Sequence, residues 1–116
     1  MIFDSLTLMK RSEVERYVRA QALGAPMPSG ETLCRVLGEY PMVVSLEDLS
    51  LAPHLVMDGF WEMWVTICLA KQFGKHPSRK SWNSIDVGAN FGYYTLLLAK
   101  LAPEGQVEAW EPQASL

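Results

Sequence analysis

Residue types that build metal centres and acid–base pairs are scarce: the 116 residues hold only two cysteines and two histidines. Cys34 and Cys68 lack a C-x-x-C spacing, and with His54 and His76 they make no zinc set, so no metal is expected. Two reduced, mostly buried thiols are the expectation instead. A strong charge of one sign is also missing. A net charge of -3 provides no general attraction to nucleic acid or to an anionic membrane, and neither is an expected partner. The local exception is Lys71, Lys75, His76, Arg79 and Lys80, read as a solvated linker rather than as a patch that recruits an anionic acceptor. Long apolar runs are absent too. The longest, Phe60 to Ala70, is interrupted by Glu62 and is too short to span a bilayer, and Asp4 lies too early for a secretory signal. A soluble, cytoplasmic protein is therefore expected, without internal repeats or low-complexity tracts.

What is present is a 49% hydrophobic composition, enough for a core. Ser12-Glu13-Val14-Glu15 has the form of a capping box, predicting a helix from Glu13 to Leu23 with Val14, Tyr17, Val18 and Gln21 on one face. Gly24, Pro26 and Pro28 should end it in a short flexible linker. Glu31 to Leu37 and Met42 to Leu46 predict a β-hairpin around Gly38-Glu39-Tyr40-Pro41, although Glu31 to Leu37 alone could be helical. A helical tendency follows over Leu49 to Asp58, with Pro53 tolerable in a first turn and Gly59 resetting the direction. Phe60 to Phe73 predicts a longer helix, with Trp61, Trp64, Val65, Cys68, Leu69 and Gln72 at helical spacing, read as a core stripe.

The most informative stretch is Ile85-Asp86-Val87-Gly88-Ala89-Asn90-Phe91-Gly92-Tyr93-Tyr94-Thr95. A β-branched run meets a Gly/Asn turn and passes into a helical pattern with Tyr94, Leu97, Leu98 and Leu101 in phase. Pro103-Glu104-Gly105 then breaks the chain before a second strand, Gln106 to Trp110, closed by Glu111-Pro112. Strand, helix and strand make one βαβ unit. Its right-handed crossover would put the Gly88 to Gly92 loop at the carboxyl ends of the strands, where open α/β sheets bind ligands.

Residue types narrow the ligand. A dinucleotide fingerprint, G-x-G-x-x-G, needs glycines where Asn90 and Tyr93 stand, which disfavours NAD or FAD and a dehydrogenase. No G-K-[ST] follows, so a P-loop is excluded. S-adenosyl-L-methionine has no pyrophosphate and tolerates a side chain at Asn90, while Gly88 and Gly92 let the backbone bend around it. The helix start beyond would favour its carboxylate. Glu111 at the second strand end is placed for both ribose hydroxyls, and Asp86 for the ligand's ammonium group, or for capping the loop N–H groups.

At these residues the chain resembles the FkbM-type S-adenosylmethionine-dependent methyltransferases, with their D-V-G-A-N-x-G-Y-Y-T loop and G-x-V-x-A-x-E-P second strand. Gly59-Phe60-Trp61-Glu62 also looks like the segment opening the preceding helix in such proteins. The resemblance implies an accessory region over 1–58 and the start of a methyltransferase domain over 59–116. The fold class it implies is α/β, the N-terminal portion of a Rossmann-like class I methyltransferase fold. It implies S-adenosyl-L-methionine as cofactor, with Asp86, Gly88, Ala89, Asn90, Gly92, Tyr93 and Tyr94 around its methionine side and Glu111 on its ribose. The implied reaction is O-methylation of a sugar or secondary-metabolite hydroxyl, so the implied partner is a small-molecule or glycan acceptor. Trp110 departs from the smaller aromatic usual in the family. The family's sheet has seven strands, whereas Leu116 lies just past the second. The expectation is therefore a fragment or a shortened relative, prone to self-association through open sheet edges. A non-catalytic, truncated α/β interaction module is the alternative, and a NAD-dependent oxidoreductase the weaker one. No catalytic residue is assigned, and His54 and His76 are read as structural or solvated.

Overall fold

The computed structural model describes residues 8–22, 25–27, 30–45 and 47–113. It is an α/β structure of helices and two small sheets, divided into compact units at 1–67 and 68–116, with the division falling inside a helix. Leu23, Gly24, Pro28 and Leu46, named above, lie outside the described residues.

In the first unit, α1 spans Arg11–Gln21. It starts earlier than the Ser12 capping box predicts. Lys10 is the N-cap residue, and the Glu13 carboxylate accepts its backbone N–H at 3.0 Å. Ser12 therefore lies inside the helix rather than at its cap, and Glu15 pairs with Arg11, four residues back and 2.9 Å away. Val14 and Val18 are buried as predicted, whereas Tyr17 on the same stripe is exposed.

Where a flexible linker was expected, β1 (Ala25–Met27) pairs antiparallel with β2 (Glu31–Val36). The predicted hairpin is present between β2 and β3 (Tyr40–Ser45), with Val36 opposite Tyr40 and Glu31 opposite Ser45. The order β1-β2-β3 explains how two prolines enter a sheet. Pro26 and Pro41 both lie on edge strands, where a missing N–H need not break a ladder. The central strand alternates as a half-buried strand should, placing Thr32, Cys34 and Val36 inside. Cys34 donates its S–H to the Met42 carbonyl at 3.3 Å, and burial pushes its thiol up to about 11. Cys68 corrects the expectation of two buried thiols, because it is exposed.

Helix α2 spans Ala52–Asp58 with Pro53 in its first turn and ends at left-handed Gly59. Its start is held by Asp48, whose carboxylate accepts the backbone N–H of Leu51 at 2.9 Å and of Ala52 at 2.6 Å, and the Ser50 hydroxyl at 2.8 Å. These bonds hold the Asp48 carboxyl below its ordinary value, the Ala52 N–H contributing most. A depressed carboxyl adds stability above its unfolded value and loses it as pH falls, so this contribution should fade below about pH 4. Asp48→Ala should lower the stability of the chain by about 1 kcal/mol at neutral pH, as loss of a helix cap does. Urea unfolding at pH 7 and pH 3 checks both points, and the difference between variant and wild type should shrink at the lower pH.

Helix α3 spans Met63–Gly74, later than the predicted start at Phe60. The chain turns at Glu62, which has a left-handed φ of 41°, and its carbonyl accepts the first helical N–H groups. The predicted stripe is also corrected. Met63, Thr66, Ala70 and Phe73 are the buried residues, whereas Trp64 is 60% exposed and Cys68 and Gln72 face solvent. No described helix is long and apolar enough to cross a membrane.

The second unit continues through a 3-10 helix, Pro77–Ser81, then β4 (Ser84–Val87), α4 (Tyr93–Leu101) and β5 (Val107–Trp110). The predicted parallel pairing is present, with Ser84 opposite Val107 and Val87 opposite Trp110. The basic stretch is not a plain linker. Its Arg79 side chain donates to the Leu101 carbonyl at the end of α4, and His76 and Phe73 pack against Trp82 at 5.1 Å. The segments leading into the two strands are laced together: Ser84 N–H donates to the Gln106 carbonyl at 2.9 Å, and Gln106 N–H to Asn83 Oδ1 at 2.9 Å. Tyr93, Leu97 and Leu101 are the buried face of α4. The predicted phase through Tyr94 and Leu98 therefore runs one residue off at the helix start.

Candidate functional site

Three elements meet at the carboxyl ends of β4 and β5. The Gly88 N–H donates to the Trp110 carbonyl at 2.7 Å and the Ala89 N–H to the same carbonyl at 3.0 Å, which fastens the start of the loop to the end of β5. Gly88, Asn90 and Gly92 then take left-handed φ values of 77°, 53° and 94°. Glycine supplies such angles without steric cost, and asparagine is among the few other residues that adopt them readily. This alternation turns the chain sharply, and the Gly92 N–H closes the turn on the Ala89 carbonyl at 2.8 Å.

Glu111 reaches across this turn. One carboxylate oxygen accepts the Asn90 N–H at 2.6 Å, and the other accepts the Gln113 N–H at 3.1 Å. The acid assigned by spacing to the second strand end is thus brought against the loop at the first. An ionised carboxylate has about four acceptor positions, so these two bonds leave capacity for hydroxyl donors.

Asp86 does not cap the loop N–H groups, since Trp110 and Glu111 take those of Gly88, Ala89 and Asn90. It accepts the Thr95 hydroxyl instead, at 2.7 Å. Thr95 lies in the first turn of α4. The positive end of the helix dipole there suits an anionic group.

Tyr93 was expected beside a ligand, but its ring is only 2% exposed and packs edge-on against Tyr94 at 5.2 Å. Tyr94 is half-buried next to it. Sequence reasoning missed two participants, the Thr95 hydroxyl and the Trp110 carbonyl. Thr95 had a signal in its position, third in a helix that follows a strand-end acid. A main-chain carbonyl has none.

Among the described residues no group of three His, Cys, Asp or Glu is placed to hold a metal ion. His54 and Trp61 belong to the first unit. Their rings pack 5.2 Å apart, and His54 Nδ1 lies 3.6 Å from Asp58, which also receives Arg19 at 3.1 Å. Comparison with protein-family models, curated proteins and solved structures returned no match.

Proposed function

We propose that the βαβ unit is the cofactor-binding start of an S-adenosylmethionine-dependent methyltransferase of Rossmann-like class I fold. The observation that carries the proposal is the 2.6 Å bond from the Asn90 N–H to Glu111, which joins the Gly/Asn loop and the second strand-end acid in one site. A ribose whose hydroxyls bind the remaining acceptor positions of Glu111 leaves the amino-acid end of the ligand near the loop and the start of α4. Its carboxylate is favoured by the positive end of the α4 dipole. Its ammonium is favoured by Asp86.

Methyl transfer from a sulfonium is an in-line displacement. The sulfur–methyl bond breaks as the acceptor oxygen bonds the methyl carbon, and the acceptor proton leaves to a base. Alignment and exclusion of water supply much of the acceleration. The acceptor class we propose is a sugar or secondary-metabolite hydroxyl, and no residue of this chain is given the role of base. Isothermal calorimetry with S-adenosylhomocysteine tests the reading. Saturable binding is expected, and none, with no response to NADH either, would sink it.

A second reading, a non-catalytic interaction module that also self-associates, is favoured by one observation. On the two-stranded sheet Ile85 is 65% exposed, Val87 81% and Trp110 59%. Parallel sheets ordinarily have both faces covered. Calorimetry separates the readings, because the module is expected to leave S-adenosylhomocysteine unbound, whereas self-association in sedimentation is compatible with either.

A further inference from the structure

We infer that Thr95 is a positioning residue whose hydroxyl orients the Asp86 carboxylate so that the site selects ligands carrying an α-amino group. The inference rests on the methyl-donor reading of the loop and names what decides its preference at the amino-acid end.

Strand alternation sends Ile85 and Val87 to the uncovered face of β4 and Asp86 to the face that carries α4. There Asp86 is half-buried, opposite Ala109 in the register, which adds only a methyl group. Its Oδ2 receives the Thr95 hydroxyl at 2.7 Å. Among the described residues no other bond reaches the carboxylate, and no buried side-chain oxygen lacks a partner. Oδ1 is therefore accessible to solvent.

The bond matters because the last torsion of an aspartate, about a carbon–carboxylate bond, is broad and weakly defined by sterics. Left alone, the carboxylate would turn freely at the strand end. Thr95 removes that freedom economically. Its own first torsion is limited by β-branching to two helical rotamers, and donation to Asp86 selects one of them. One oxygen is fixed against α4, and the other is held open beside the Gly88 to Gly92 turn as the acceptor for an ammonium group.

The test compares S-adenosylhomocysteine with methylthioadenosine, which keeps the nucleoside and thioether and lacks the amino-acid end. In calorimetry on the full chain, Thr95→Val should weaken S-adenosylhomocysteine about tenfold and leave methylthioadenosine unchanged, an effect the size of a charged hydrogen bond. Thr95→Ser, which keeps the hydroxyl, should restore the preference. Asp86→Asn, which keeps an acceptor for Thr95 but loses the charge, should abolish it. Where Thr95→Val melts early by circular dichroism, Thr95→Ala replaces it in the same comparison.

Equal weakening of both ligands would mean a structural role and overturn the inference, as would an unaltered preference in Thr95→Val. Failure of the wild type to bind either ligand would overturn the methyl-donor reading, and the inference with it. Wild-type preference for S-adenosylhomocysteine that survives loss of the hydroxyl removes the inference alone.

Discussion

Glu111→Ala is expected to abolish measurable binding of S-adenosylhomocysteine. In the proposed function two ribose hydroxyls donate to this carboxylate, and hydrogen bonds to a charged acceptor are worth about 1.5–3 kcal/mol each. Losing both corresponds to at least a hundredfold, since about 1.4 kcal/mol is tenfold. The structure adds a second loss. The same carboxylate accepts the Asn90 N–H at 2.6 Å, so its removal also frees the middle of the Gly88 to Gly92 turn. Glu111→Gln keeps one acceptor oxygen and should fall between alanine and wild type. Calorimetry gives the affinities, and the Asn90 amide resonance reports the turn in the absence of ligand. A dissociation constant unchanged by Glu111→Ala would count decisively against the ribose assignment.

Gly105→Ala should have the largest effect on the fold of the second unit. A Cβ at this position would be driven into the Trp82 carbonyl oxygen and lie 2.7 Å from the carbonyl carbon, both of them backbone atoms. No rotamer change relieves that overlap, so the segments leading into β4 and β5 must separate. Their separation breaks the lacing that sets the register, including the Glu104 N–H to Lys80 carbonyl bond at 2.8 Å. Overpacking typically costs about 1–3 kcal/mol where side chains can shift, and a backbone clash should reach about 3 kcal/mol or more. The expected result is a clearly lowered melting temperature, with loss of the Phe73–Trp82 ring contact in near-ultraviolet dichroism. Gly105→Ala with wild-type melting would show that the starts of β4 and β5 can part without harm.

Much of the backbone was legible from the chain itself. The β2–β3 hairpin, the left-handed stop at Gly59 and the parallel pair β4–β5 each rest on a local signal, alternation or a breaker, and each is present. What was misread depended on partners distant in sequence or on a competing local bond. The Ser12 box gave way to the bond between Lys10 and Glu13. Pro26 joined a strand because the sheet order left it an edge. On α3 the buried face is Met63, Thr66, Ala70 and Phe73 rather than the stripe through Trp64, because the covered face of a helix is set by what packs against it and not by periodicity alone. The candidate site divides the same way. The turn at Gly88, Asn90 and Gly92 follows from residue type, whereas the bonds from Thr95 to Asp86 and from Asn90 to Glu111 exist only once the crossover has closed.

That crossover also orders events in time. The β2–β3 hairpin joins residues only a short turn apart, so its first contacts carry little loop-closure entropy. The β4–β5 ladder cannot begin until residues 84 and 107, with α4 between them in the chain, meet. Non-local parallel pairing is intrinsically slow. The two halves of the candidate site, the turn after β4 and the acid after β5, are therefore expected to come together only as that ladder closes, so a change that slows the closure should delay the site with it.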